Sequence, residues 1–209
     1  MADVAVPGAP EVAAPSGDGA PAAAARHDFE IIPLRGLPIV AVVFGVLIWA
    51  IAANELRPLE FLHVGFGAAW MALDLFLGFV IGPILRRMSV PARIEFSTRL
   101  MPKMALIMPV LVTVTLASGW QLGILLGTLD SSYVNHEWIV ASYVIVGVMA
   151  VIALGLLEPA NIAVLFELKK ERPDPAVIGH LMKRFIYTAA ILGAMQLATL
   201  VVMVKIAVG

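Results

Sequence analysis

Hydrophobic residues dominate five long stretches of the chain, and polar residues fall mostly between them. None of these stretches alternates with the two-residue period of a strand, and each reaches or approaches the ~20 residues that cross a bilayer as a helix. Within lipid, only helices and closed barrels satisfy their own backbone hydrogen bonds. The pattern therefore predicts an all-α membrane bundle of five transmembrane helices, at about residues 37–53, 59–85, 103–126, 138–166 and 185–208.

The fourth stretch is longer than a bilayer requires. As one helix from His136 to Lys169 it would measure ~50 Å, against a hydrocarbon core of ~30 Å. The dipeptide Glu158-Pro159 lies in its inner part. We expect either a kink at this proline or a helix that emerges from the membrane there. Glu158 then lies near the inner interface, as a carboxylate that pairs with an arginine or extends to water.

The first 30 residues differ in composition from the rest of the chain. They are rich in alanine, proline and glycine and contain almost no large apolar side chains, so they cannot bury enough surface to fold alone. A basic start and an apolar core, which mark signal peptides, are both missing. We expect a disordered cytoplasmic tail at residues 1–30 and one transmembrane helical domain at residues 31–209.

Basic residues are distributed unequally between the two sides of the predicted bundle. Of the 14 lysines and arginines, all but Arg57 and Lys205 precede the first helix or fall around the loops after the second and fourth helices. The more basic side of a membrane protein stays in the cytoplasm. We therefore expect a multi-pass protein of a bacterial-type inner membrane, with its N-terminus inside and its C-terminus outside.

Composition supports the membrane assignment and excludes several functions. The chain is 61% hydrophobic with a mean hydropathy of +0.95, and 14% of its residues are charged, against about 25% in soluble domains. A net charge of −1 without a basic stripe gives no indication of a nucleic-acid partner. The absence of cysteine excludes disulfides, thiolate metal sites and c-type haem. No self-contained catalytic motif is present, so enzymatic activity stays open.

One stripe of the second helix carries the strongest functional signal. His63, Gly67, Trp70, Asp74 and Gly78 are spaced by 4, 3, 4 and 4 residues, which places them on one helix face. An ionisable group inside a membrane span is costly, so it normally faces protein, water or a cofactor. The stripe is therefore predicted to face the interior of the bundle.

His63 lies about one turn inside the outer end of its helix. It is either a hydrogen-bonding link between helices or a ligand of a metal or haem. His136, in the outer loop, can reach a similar depth, and these two form the only plausible histidine pair. Gly65 and Gly67 would let a flat ring or a neighbouring helix approach the backbone closely. Trp120 lies near the same level, where an aromatic belt at the membrane interface is the alternative explanation.

Asp74 lies deeper in the same helix. Its carboxyl group is either part of a proton relay or a protonated acid that hydrogen-bonds to a facing hydroxyl. The facing hydroxyls would be those of Thr113, Thr115 or Ser118 on the third helix.

Methionines form a second stripe, on the inner half of the third helix. Met101, Met104 and Met108 follow helical spacing. Thioethers are ligands for Cu(I), although such stripes are more often adaptable core packing.

The segment FLHVGFGAAWMALDLFLGFVIGPILRR places a tryptophan seven residues after a histidine, in an apolar run that ends in basic residues. It resembles the CopD-like copper-resistance membrane family and the HemJ-type protoporphyrinogen oxidases. The next stretch extends the resemblance through Arg99, Pro109 and the pair Gly119-Trp120, and HEWIVASYVIVGVMAVIALGLLEP is similar to the third core helix of these families. The resemblance covers about residues 59–207 as four core helices, so the helix at 37–53 is additional.

The resemblance implies a b-type haem with His63 as an axial ligand. The predicted cofactor site therefore consists of His63, Gly67, Trp70, Trp120 and His136, with the two histidines as metal ligands. The oxidase group also carries a lysine in its third core helix, whereas residues 138–157 contain none. This departure disfavours porphyrinogen oxidation.

Taken with the stripe, the resemblance favours a membrane haem-b protein that transfers electrons near the outer face, alone or within a larger membrane complex. The alternatives are a cofactor-free structural subunit and a copper-resistance or copper-transport protein. The expected partners are the lipid bilayer and either other membrane subunits or further copies of this chain.

Overall fold

The computed structural model describes residues 30–208, so the predicted disordered tail lies outside the described range except for its last residue. Every regular element in that range is helical. Five helices are long and apolar enough to cross a membrane. The predicted all-α bundle is confirmed, and the chain is a multi-pass membrane protein. The helices are α1 (Leu37–Ala53), α2 (Leu56–Arg87), α3 (Val90–Leu125), α4 (His136–Leu168) and α5 (Pro175–Val208).

Two helices begin well before the predicted boundaries of their apolar stretches. α3 starts at Val90, with a proline in its first turn, and α5 starts at Pro175. The Asp174 carboxylate caps α5 by accepting the Ala176 backbone N–H at 2.8 Å. Charged residues within the first three turns of each helix made the segments look like loops in the hydropathy pattern. The helices therefore extend beyond the apolar stretches at the basic end of the bundle.

Four helices form the core, and α1 packs against its side. α2 contacts both α3 and α5, and α4 contacts the same two helices. In the most apolar part of α1, 11% of the residues are buried, compared with 44% in α3. The predicted arrangement of a four-helix core plus one N-terminal helix is therefore the one observed.

Three of the four core helices contain an irregular segment or an internal proline. α2 contains a π-helical segment at Phe76–Ile81, and α4 contains one at Ala153–Leu157. α3 has Pro102 and Pro109 within its length. Pro159 lies just after the π-helical segment of α4, and such local adjustments let a membrane helix accommodate the missing proline N–H. The irregularity in α4 thus precedes the proline, and the helix continues through it.

Glycines bring α2 and α5 into close contact at the end of the stripe that carries Asp74 and Gly78. A Cβ atom at Gly78 would lie 2.5 Å from the Ala190 Cα atom, and one at Gly193 would lie 2.9 Å from the Leu75 Cδ2 atom. Small residues allow such backbone approach between membrane helices. This contact fixes α5 against the part of α2 that carries Asp74.

Candidate functional site

The stripe of α2 faces the bundle, as its spacing predicts, but it contacts two different helices. Near the start of α2, His63 and Gly67 face α3. Farther along, Asp74 and Gly78 face α5. Trp70 lies between these two parts and is 2% exposed. The stripe therefore contains two separate sites, one around His63 and one around Asp74.

His63 links α2 to α3. Its Nδ1 atom lies 2.9 Å from the Thr115 carbonyl oxygen, and the ring packs against the backbone of Gly119, where a Cβ atom would lie 2.5 Å from Cε1. A carbonyl oxygen only accepts hydrogen bonds, so Nδ1 donates and carries the hydrogen. Nε2 then keeps its lone pair, and no residue in the range 30–208 hydrogen-bonds to it. Histidines that bind metals are commonly fixed in this way.

His136 is the first residue of α4, next to the loop that carries Asp130, rather than part of the surroundings of His63. The backbone N–H of Ser132, then the Ser132 hydroxyl, and then the charge of His136 hold the pKa of the Asp130 carboxyl below its ordinary value. The first half of α4, which His136 begins, is not packed along α2. Within residues 30–208, no group of three or more histidine and acidic side chains could hold a metal. The pairing of His63 with His136 therefore stays a prediction without a supporting contact.

Trp120 and Gly67 were also predicted to lie near His63, and each packs against a different residue. Trp120 is 55% exposed and packs edge to face on Tyr143 of α4, with ring centroids 5.7 Å apart. An exposed aromatic pair of this kind suits a membrane interface. A Cβ atom at Gly67 would touch the Thr115 methyl at 3.4 Å, so this glycine is packed against α3.

Asp74 is completely buried between α2 and α5. Its Oδ2 atom accepts a hydrogen bond from Gln196 Nε2 at 3.2 Å, whereas its Oδ1 atom is buried without a partner. The facing hydroxyls predicted for it do not bond to it, since Thr115 donates to Leu111 and Ser118 to Val114 within α3, and Thr113 is exposed.

The antiparallel register explains why the predicted hydroxyls do not meet Asp74. His63 packs against Gly119, and α2 and α3 run in opposite directions. Asp74 lies about three turns farther along α2, so it lies opposite a part of α3 about three turns before Gly119 and roughly one to three turns before these hydroxyls.

Three buried side chains around Asp74 have unpaired polar atoms. Besides Asp74 Oδ1, these atoms are Trp70 Nε1 and Gln196 Oε1. Trp70 lies beside the Asp74 carboxyl group, one turn earlier on the same helix face. We call Trp70, Asp74 and Gln196 the buried triad. Measured along α2, Asp74 lies ~18 Å from Arg86 and ~25 Å from Arg57, which places the triad near the middle of the membrane.

Gln196 was missed in the sequence, although a signal for it exists. The buried face of α5 follows alternating spacings of four and three residues, the pattern of a helix that packs along its length. A polar residue on this stripe must find a polar partner on a neighbouring helix. The members of the stripe are Ile178, Met182, Phe185, Ala189, Leu192 and Gln196.

Asn161 is a second buried polar residue that the sequence analysis left without a role. In the amide orientation that satisfies both of its groups, it donates to the Met101 carbonyl at 3.3 Å and accepts the Ala105 N–H at 2.9 Å. It therefore joins α4 to α3 beside Pro102. Glu158 lies near the Asn161 side chain and forms no ion pair within residues 30–208, so the expected arginine partner is not observed.

Two apolar cavities lie along α3, and neither is lined by His63 or by the triad. One, of about 380 Å³, lies between α1 and α3 and includes Lys103 at its edge. The other, of about 320 Å³, lies between α2 and α3 and is lined by Phe61, Gly65, Phe66, Ala69 and Leu111.

The predicted methionine stripe is part of the core. Met101, Met104 and Met108 are buried on the inner half of α3, away from His63. This placement is the one expected for ordinary core packing, and the role of the methionines as copper ligands stays a prediction.

No protein-family model, curated protein or solved structure matches this chain. The resemblance to the CopD-like and HemJ-type families therefore stays a prediction from short motifs.

Proposed function

We propose that this protein takes up and releases a proton at Asp74 and that it works as a proton-coupled membrane protein. One observation carries the proposal. The Asp74 carboxyl group is fully buried at mid-membrane depth, and one of its oxygens has no partner. A carboxyl group that only joins two helices is expected to pair both of its oxygens with groups of those helices, and Asp74 pairs one. Ionisable residues within membrane spans are conversely typical of proton pathways.

The surroundings of Asp74 permit both a neutral and a charged carboxyl group. An apolar environment without a counter-ion favours the neutral acid. The Gln196 N–H donates to Oδ2 and stabilises a negative charge when one forms. The π-helical segment at Phe76–Ile81 begins two residues later, and such segments are frequent at functional sites.

Proton uptake into vesicles tests this proposal. In proteoliposomes with an imposed pH gradient and a pH-sensitive dye inside, we expect the wild-type protein to admit protons. The variant Asp74→Asn, which has nearly the same shape and cannot ionise, should fall to the rate of protein-free vesicles. Asp130→Asn, which changes an exposed acid of the outer loop, is the matched control and should keep the wild-type rate. Wild-type uptake by Asp74→Asn would overturn the proposal.

A second proposal concerns haem b at His63. The Nδ1–H group of His63 is fixed by the Thr115 carbonyl and Nε2 is unpaired, so the residues present fit one axial ligand. They do not fit the predicted pair of ligands, since no contact brings His136 to this site. A bound haem would supply one-electron chemistry near the outer face. His63 would hold and orient it through the hydrogen bond to α3.

Haem titration of the purified protein separates this proposal from a purely structural role for His63. We expect wild-type protein to develop a Soret band and His63→Ala to lose it. His180→Ala, which changes an exposed histidine at the opposite end of the bundle, should retain the band. If wild-type protein binds neither haem nor copper, His63 is a link between helices. The cofactor-free subunit, packed against other membrane subunits or copies of itself, then gives the better account.

For orientation, we propose that the basic end of the bundle faces the cytoplasm of a bacterial-type cell. This end carries Arg35 and the charged residues around the loops that follow α2 and α4. We expect a reporter fused after Gly209 to be active outside and one inserted near Val90 to be active inside. The reverse pattern would contradict the charge argument, and activity on the same side would contradict an odd number of spans.

A further inference from the structure

We infer that the buried triad binds one water molecule, which hydrogen-bonds to Trp70, Asp74 and Gln196 together and satisfies them in both protonation states of Asp74. The inference rests on the proposed role of Asp74 and names the molecule that serves this site. Three polar atoms that are fully buried and unpaired around one carboxyl group require an explanation, and an ordered water is the commonest one.

The three unpaired atoms lie around the same carboxyl group. Trp70 is one helical turn before Asp74 on the same face of α2, and its indole N–H lies close to the carboxyl group without the alignment of a direct hydrogen bond. Gln196 Oε1 belongs to the same amide whose nitrogen donates to Asp74 Oδ2. Gln196 Oε1 therefore lies no farther from the carboxyl group than the hydrogen bond plus the width of one amide group.

Donors and acceptors match a water molecule in both states of Asp74. When the carboxyl group is ionised, a water accepts the Trp70 N–H and donates to Asp74 Oδ1 and to Gln196 Oε1. When Oδ1 carries a proton, the same water accepts from Trp70 and from Asp74 and donates to Gln196. Rotation of the water alone satisfies all three groups in either state. Asp74 can thus change its charge without any movement of a side chain.

A metal cation fits this site poorly. Hard cations take about six oxygen ligands, and the triad offers two unpaired oxygens. The Trp70 N–H presents the positive end of a dipole, which repels a cation. Trp70 therefore selects a neutral molecule that both donates and accepts.

Charged groups of the described helices lie away from the triad. α3 carries none between Lys103 and its end, and α4 contributes Glu158 beside Asn161. The remaining titratable groups on the two helices that form the site lie toward the helix ends. They are Arg57, Glu60, His63, Arg86 and Arg87 on α2, and His180, Lys183, Arg184, Tyr187 and Lys205 on α5. No counter-ion among them competes with the water for the Asp74 carboxyl group.

An experimental structure of the full chain in lipid nanodiscs, at a resolution that shows ordered waters, tests the inference. We expect one density peak within hydrogen-bonding distance of Trp70 Nε1, Asp74 Oδ1 and Gln196 Oε1. Trp70→Phe removes the donor and nearly preserves the packing, so the peak should be lost while the Gln196–Asp74 bond persists. Trp120→Phe, at an exposed tryptophan, should leave the peak unchanged.

Three results would overturn the inference. They are a direct Trp70–Asp74 hydrogen bond with no peak, a peak with the short distances and several oxygen ligands of a cation, and a peak that survives in Trp70→Phe. The density is measured independently of proton uptake. An absent peak in a protein whose uptake depends on Asp74 would therefore refute the water and leave the proposed function intact.

Discussion

Replacing Trp70 by alanine should lower the free energy of unfolding by about 3–5 kcal/mol, the usual cost of removing a buried aromatic side chain. Trp70 is 2% exposed and belongs to the core cluster in which α2, α3, α4 and α5 meet. The substitution removes the ring and leaves a cavity that these helices can close only in part. Equilibrium unfolding in mixed detergent micelles, followed by circular dichroism, measures the loss.

Two further variants separate the packing of Trp70 from its polar role. Trp70→Phe keeps most of the ring, so its cost should be much smaller than that of Trp70→Ala. Trp49→Ala removes a tryptophan that is 57% exposed on α1 and should change stability little. Equal losses for Trp70→Ala and Trp49→Ala would contradict the burial of Trp70 between the core helices.

Replacing Gly78 by alanine should destabilise the bundle by at least about 1–3 kcal/mol, the cost of overpacking a well-packed core. The added Cβ atom would lie 2.5 Å from the Ala190 Cα atom and 2.8 Å from the Ala190 backbone nitrogen. Backbone atoms cannot rotate away as a side chain can, so α2 and α5 must separate. The same unfolding measurement reports the effect.

Gly65→Ala is the matched control for this prediction. Gly65 lies on the same helix, and a Cβ atom there would meet nothing within 4 Å. Alanine should be neutral or should stabilise the helix by up to about 1 kcal/mol, since it has the higher helix propensity. If the two substitutions have the same effect, the close contact between α2 and α5 is wrong.

Hydropathy was sufficient to predict the number and type of the helices, because lipid leaves so few ways to satisfy the backbone. It was insufficient for two helix starts. The first three turns of α3 and α5 include charged residues outside the apolar stretches, and charge in a helix at the membrane surface looks like charge in a loop. The Asp174 side chain caps the start of α5 instead, and a proline lies in the first turn of α3.

Helical spacing correctly placed the stripe of α2 toward the interior but did not identify its partners. The residues that meet His63 and Asp74 depend on the rotation and the register of the neighbouring helices, which one helix does not encode. Gln196 and Asn161 were therefore missed, although each lies in a helix whose buried face the pattern indicates. Polar residues on otherwise apolar helix faces would have been the signal to follow.

The central claim is that Asp74 changes its protonation state inside the membrane. Infrared difference spectroscopy of the reconstituted protein, recorded between high and low pH, measures this event directly through the C=O stretch of a protonated carboxyl group. We expect a titrating band in the wild-type protein that is absent from Asp74→Asn and present in Asp130→Asn. An identical set of carboxyl bands in the wild-type protein and in Asp74→Asn would contradict the claim.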